Sequence, residues 1–132
     1  MTSRALKRIL YVEDETDIQT VAKLALESVG GFEVEICNSG TNALKRAPAF
    51  APDLILLDVM MPDMDGPATL TALRALPGTA DTAVIFMTAK VQNSEVENYK
   101  KLGAIDVIPK PFDPMTLAQT VREIWARHGD KT

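Results

Sequence analysis

Short runs of consecutive apolar residues alternate along this chain with longer stretches in which apolar residues recur every three or four positions. RILYV (Arg8–Val12), DLILLD (Asp53–Asp58) and AVIFMT (Ala83–Thr88) are short and almost wholly apolar, the pattern of strands buried inside a sheet. FEVEIC (Phe32–Cys37) alternates apolar and acidic side chains, as a strand near a sheet edge does, and IDVIP (Ile105–Pro109) is the last strand. Between them the period changes. Ile18, Val21, Ala22, Ala25 and Val29 give a helix over Thr16–Val29, stopped by Gly30-Gly31. A second helix covers Ser39–Phe50, with Asn38 or Ser39 as its cap and Pro48 marking its fraying end. A third covers Gly66–Leu76 and is closed by Pro77-Gly78. A weaker fourth, Ser94–Leu102, carries Val96, Tyr99 and Leu102 and stops at Gly103. Asp113 is the expected cap of the fifth, with Pro114 at its first position and Leu117, Val121, Ile124 and Trp125 as its apolar stripe.

Five strands alternating with five helices predict an α/β fold, a doubly wound parallel sheet, because parallel strands need crossover connections and these are right-handed. The 132 residues suit one domain over 1–132, with a core of about 7–127 and no linker or repeat. An apolar fraction of 46% is enough for a core that needs neither disulfide nor structural metal.

Charge and cysteine content narrow the class. A formal net charge of −4 gives no general affinity for nucleic acid. The mild basic cluster Arg4, Lys7 and Arg8 reads as a solvated lead-in to the first strand. Cys37 is the one cysteine, so no intrachain disulfide can form; a buried thiol in a reducing, cytoplasmic compartment is expected. No apolar run reaches bilayer length, so no membrane insertion is expected, and the N-terminus lacks the apolar stretch and small-residue cleavage site expected of a signal peptide. His128, the one histidine, sits where it would complement the dipole of the last helix.

In open α/β sheets ligands bind outside the carboxyl ends of the strands. Strand one is followed there by Glu13 and Asp14, strand three ends in Asp58, strand four in Thr88, and strand five is followed by Lys110. Three carboxylates at one edge repel one another unless a cation sits among them. Hard oxygen donors suit Mg²⁺, with Mn²⁺ as the alternative ion, and Lys110 adds a fixed positive charge. A metal, an amine and a hydroxyl around a carboxylate form a place for a phosphoryl group, with Asp58 as nucleophile. Taken singly, each feature has a plainer reading. Glu13 and Asp14 could cap the first helix, Thr88 could merely finish its strand, and Lys110 could be a surface charge.

LYVEDE, LLDVMMPDMDG, FMTA and GAIDVIPKPF stand in this order at successive strand ends. In these motifs the chain resembles the receiver domain of two-component response regulators, from about Lys7 to Arg127. The resemblance implies a flavodoxin-like sheet of order 2-1-3-4-5, as in the family's chemotaxis member. It implies that Asp58 accepts a phosphoryl group from the phosphohistidine of a sensor histidine kinase or histidine phosphotransfer protein. By the same resemblance Asp14 and Asp58 would ligate Mg²⁺, the Met60 backbone carbonyl would be the third protein ligand, and Glu13 would act through water. Lys110 would pair with the phosphoryl group, and its bond to Pro111 would be cis. Ala89 is assigned to cofactor binding. Thr88 and position 107 would carry the switch to a helix 4–strand 5–helix 5 face that binds a downstream protein. Such a protein is not a turnover enzyme; it catalyses only its own phosphorylation and dephosphorylation.

The sequence departs from the family's pattern at Val107, where an aromatic that swings inward is usual. Valine is short and stiff at χ1, so the output is expected to pass mainly through the loop Ala89–Gln92. Met60 and Lys90, each two residues beyond a site residue, flank the path of attacking water, and an apolar Met60 cannot orient that water. Two readings compete with a stand-alone receiver: a small Mg²⁺-dependent phosphatase using Asp58, and a receiver cut from a longer regulator or hybrid kinase. DMDG (Asp63–Gly66) looks like the start of a calcium loop, but Met61 and Ala72 stand where ligands would be needed. The same run is similar to the aspartate motif of haloacid-dehalogenase-type phosphatases, yet Asp63 follows Pro62 in a loop rather than ending a strand.

Overall fold

The computed structural model describes residues 5–129. Arg4 and the side chain of His128 lie outside the described residues. Five parallel strands, β1 (Arg8–Val12), β2 (Glu33–Cys37), β3 (Leu54–Asp58), β4 (Ala83–Thr88) and β5 (Asp106–Pro109), form one sheet in the order β2-β1-β3-β4-β5. The helices are α1 (Thr16–Leu24), α2 (Gly40–Phe50), α3 (Gly66–Arg74), α4 (Asn93–Leu102) and α5 (Leu117–Ile124). The expected α/β class and strand order are therefore those of the structure.

The strand sequences explain their positions. β3 and β4 are buried along their whole length because helices cover both faces of the sheet centre. β2, at the edge, keeps Glu33 exposed and Glu35 half-buried. Alternation splits the core in two. Ile9, Tyr11, Leu54, Leu56, Ile85 and Met87 pack on one face, whereas Leu10, Val12, Ile55, Leu57, Val84 and Phe86 pack on the other. Asp53 sets the register of β1 beside β3, since its carboxylate accepts from the backbone N–H groups of Lys7 (3.0 Å) and Arg8 (2.9 Å).

Several element ends differ from the sequence expectation. The first helix is helical to Val29, but its last stretch, Ala25–Val29, is a wider π-type turn. Ser39 is the cap of α2, its hydroxyl accepting from Asn42 N–H at 3.0 Å, and Pro48 lies inside that helix. α3 stops at Arg74, two residues early, and Pro77–Thr79 forms a separate short turn. Asp113 does not cap α5: its carboxylate accepts from Met115 N–H (2.9 Å), and α5 starts at Leu117. Pro114 removes one N–H donor and the chain uses Pro114–Thr116 as a lead-in turn instead. Cys37 is buried as expected, and burial pushes its thiol up to about 11. No helix among the described residues is long and apolar enough to cross a membrane.

Candidate functional site

All five strands run the same way, so their carboxyl ends share one edge. β3 lies between β1 and β4, and this brings Asp58 between Glu13-Asp14 on one side and Thr88 on the other. The edge is fixed by backbone hydrogen bonds that extend the ladders past the strand ends. Glu13 N–H donates to Cys37 O (3.0 Å), Val59 N–H to Met87 O (3.1 Å) and Lys110 N–H to Thr88 O (3.0 Å). The Lys110–Pro111 bond is cis.

The Lys110 ammonium reaches back across the edge. Its Nζ donates to Glu13 Oε1 at 2.9 Å and stands 3.2 Å from Asp58 Oδ1. Glu13 is wholly buried, Asp58 is 4% exposed, and Asp14 is exposed at the mouth. One carboxylate oxygen from each of the three lies within 4.8 Å of the others. Three acids thus face one ammonium. Burial is the main force that raises the Glu13 pKa; the Lys110 hydrogen bond opposes it, the Asp58 charge adds to it, and the result is about 7. Burial works to lower the Lys110 pKa, but its bonds to Glu13 and Asp58 outweigh this and leave it raised.

The donor set fits a hard divalent cation. Ligands about 2.1 Å from Mg²⁺ lie at most ~4.2 Å apart, and the three oxygens, all within 4.8 Å of one another, are near enough for small side-chain movements to bring them onto one ion. Asp58 and the exposed Asp14 are placed to ligate directly. Glu13 already binds Lys110 and Glu15 N–H (3.2 Å), which suits an indirect role.

Thr88 is buried, and its hydroxyl oxygen accepts from Lys90 N–H at 3.1 Å, leaving its proton to donate elsewhere. Ala89 and Lys90 are exposed just beyond it. Met60 is 72% exposed beside Asp58. Val107 pairs in register with Phe86 on β4 and packs, half-buried, on the same core cluster. So the structure gathers Glu13, Asp14, Asp58 and Lys110 into direct range, sets Thr88 at the adjoining strand end, and keeps Val107 one layer below.

Three residues near the site escaped the sequence reading. Gln19 donates from its side-chain amide to the Glu13 carbonyl (2.6 Å), holding the acidic turn from α1. Asp65 caps α3 by accepting from Ala68 N–H (2.9 Å); an aspartate just before Gly66-Pro67 is a readable helix-start signal. This is the structural role of the DMDG run. Tyr11 is buried with a hydroxyl that has no partner among the described residues, and burial, then Glu13 and Asp58, raise its pKa. No sequence signal marks it.

The Glu13 shift makes a pH prediction. Its folded pKa is above its ordinary value, so between about pH 4.5 and 7 the folded state binds more protons than the unfolded one. Glu13 therefore makes the metal-free protein less stable as pH rises across that window. Mg²⁺ should oppose the trend, because ionised Glu13 then faces a cation. Melting temperatures measured from pH 4.5 to 8, with and without Mg²⁺, should diverge as pH increases; parallel curves would contradict the assignment.

The family model described as response regulator receiver domain matches residues 9–122. The DNA-binding response regulator MtrA of Mycolicibacterium paratuberculosis is 34% identical over 125 residues, which cover 95% of this chain and 54% of MtrA. The regulatory protein AtoC of Escherichia coli is 36% identical over 109 residues, 83% of this chain and 23% of AtoC. This chain thus spans about half the length of MtrA and less of AtoC. Among solved structures, the chemotaxis protein CheY4 of Vibrio cholerae superimposes with a TM-score of 0.83 at 30% identity, covering 91% of this chain and 99% of that one.

Proposed function

The chain belongs to the response regulator receiver family, and from that membership we propose that it is a phosphorylation-controlled binding module whose acceptor is Asp58. One observation carries this reading: Lys110 Nζ lies within 3.2 Å of Asp58 in a cluster that also holds Glu13 and Asp14. The phosphodonor is a histidine kinase or a histidine phosphotransfer protein. An Asp58 oxygen attacks phosphorus, the phosphorus–nitrogen bond breaks, and the imidazole nitrogen leaves with the bonding pair. Asp14, Asp58 and the Met60 carbonyl would hold Mg²⁺, with Glu13 acting through water, and the ion would supply positive charge to offset that of the transferring oxygens. Lys110 pairs with a second oxygen, and the Thr88 hydroxyl donates to a third. Ala89 follows Thr88 at the rim and belongs to the same binding edge.

An apolar groove of about 230 Å³ adjoins Lys110 and is lined by Ile18, Val21, Pro111 and Phe112. Its continuity with the acceptor edge makes it the seat for the donor protein in this proposal. Output leaves through the α4–β5–α5 face to a protein partner. The stand-alone form and the cytoplasmic setting are parts of the same proposal; the length of the gene tests the first.

Acetyl phosphate with Mg²⁺ separates this reading from a turnover phosphatase. The receiver reading expects one phosphoryl group per chain and no sustained release from phosphomonoesters. Multiple turnover on a phosphomonoester would overturn it.

Self-dephosphorylation should be slow to moderate, because Met60 offers no hydrogen bond to an attacking water. Met60→Asn is expected to accelerate loss of the phosphoryl group by up to about tenfold, since ~1.4 kcal/mol is the worth of one ordinary hydrogen bond. Decay followed by mass spectrometry checks this, and an unchanged lifetime would contradict it.

A further inference from the structure

α4 is held to the rest of the molecule differently at its two ends. At its C-terminal end Gly103 takes φ +120°, a conformation in which a side chain would be strained, and its carbonyl accepts from Arg74 (3.3 Å). The same guanidinium also donates to Thr79 O and Thr82 O, so this end is anchored to the α3–β4 connection. Ile105 N–H, just beyond, donates to Val84 O at 2.8 Å. Among the described residues the N-terminal end shows no such ties. Gln92 makes no side-chain cap bond, no residue of α4 is buried, and Glu95 Oε2 is a buried acceptor without a partner among the described residues. The loop Ala89–Gln92 leads from Thr88 into that end.

One aromatic contact bridges α4 and the sheet. The half-buried ring of Tyr99 packs on Phe86 with centroids 5.0 Å apart and planes tilted by 58°. Phe86 lies two residues before Thr88 on the same strand face, and its register partner on β5 is Val107. A small Val107 leaves the flank of Phe86 open to a ring arriving from α4. On its other side Phe86 touches the acceptor loop: a Cβ on Gly66 would fall 3.0 Å from Phe86 Cε1 and 2.7 Å from the Asp58 carbonyl. Gly66 is thus required by the close approach of loop, strand and ring.

We infer that Tyr99, stacked on Phe86, is the positioning residue through which modification of Asp58 moves α4, in place of an aromatic at position 107. This rests on the receiver reading. The path is contiguous: Gly66 lies against both the Asp58 carbonyl and Phe86, Phe86 bears on Tyr99, and Tyr99 stands in the last turn of α4, beside the Arg74 anchor and opposite the freer N-terminal end. A helix without buried residues is also the element most easily shifted.

The two tyrosines allow a direct test, because ring-labelled tyrosine gives two NMR signals and Tyr11→Phe identifies one. With acetyl phosphate and Mg²⁺, the Tyr99 signal should shift in wild type and stay still in Asp58→Asn. Amide exchange across 93–102 should change on modification, and Tyr99→Leu should reduce that change by about fivefold or more, within the usual range of coupling between sites. Tyr99→Phe, which keeps the ring, should retain it. All the Tyr99 variants should still gain mass at Asp58, which a folding defect would prevent. Asp58 modified with the Tyr99 signal unmoved, or Tyr99→Leu with the α4 response intact, would overturn the inference and leave the receiver reading standing. Absence of any mass gain in wild type would overturn both.

Discussion

Lys110→Met is expected to destabilise the metal-free protein by ~3–5 kcal/mol and to slow phosphoryl transfer to Asp58 by about 10²–10³-fold. The ammonium stands between a wholly buried Glu13 and an almost buried Asp58, and it is the positive group within bonding distance of both. Methionine keeps the volume of the stem but leaves two carboxylates facing each other without their partner. Glu13 will answer by taking up a proton, because the Lys110 hydrogen bond is the largest influence opposing the rise in its pKa. That response limits the loss of stability, and added Mg²⁺ should recover part of it. The kinetic loss should persist in Mg²⁺, because in the proposed mechanism the cation and the ammonium would serve different oxygens. Urea unfolding and acetyl phosphate labelling, each with and without Mg²⁺, measure the two effects. A variant as stable as wild type and labelled at the same rate would remove Lys110 from the account.

Asp58→Asn should separate stability from function in the opposite direction. It abolishes labelling, since an amide oxygen cannot form the acyl phosphate. Yet it should stabilise the metal-free protein, seen as a higher melting temperature than wild type in chelator. Burial of the Asp58 charge and repulsion from the neighbouring carboxylates both work against the metal-free fold, and the one ammonium that offsets them is shared with Glu13. The gain should shrink as Mg²⁺ is added, because the cation stabilises the wild-type cluster by mass action. Melting curves in a chelator and in Mg²⁺ read both terms. A variant less stable than wild type in chelator would show that Asp58 is a net stabiliser and that the cluster does not store repulsion.

Much of this was legible in the chain because the relevant signals are periodic or sit at strand ends. β1 and β4 have the predicted limits, since each is an apolar run bounded by charged or polar residues. The site was legible for the same reason. Parallel strands put their last residues on one edge, so Glu13, Asp14, Asp58, Thr88 and Lys110 could be gathered from sequence positions alone. Helix ends were less readable. The wide turn at Ala25–Val29 reflects tertiary packing: the Gly30 carbonyl accepts from Arg122 of α5, whose guanidinium also lies 4.5 Å from the Phe32 ring centroid. Asp113-Pro114 has the form of a helix start, but the turn there closes on itself before α5 begins. Gln19 and Tyr11 were not legible because their roles depend on which backbone or charge lies nearby in space. The contact of Tyr99 with Phe86 was hidden likewise; helical spacing marked Tyr99 only as part of an apolar stripe.

The central claim is that Asp58 becomes an acyl phosphate in a cation-dependent reaction at this edge. Intact-mass analysis after acetyl phosphate, in Mg²⁺ and in chelator, with wild type beside Asp58→Asn, tests it most directly. The expected result is one phosphoryl group on wild type in Mg²⁺, and none in chelator or on the variant. Equal labelling of wild type and Asp58→Asn, or labelling that ignores the cation, would contradict it.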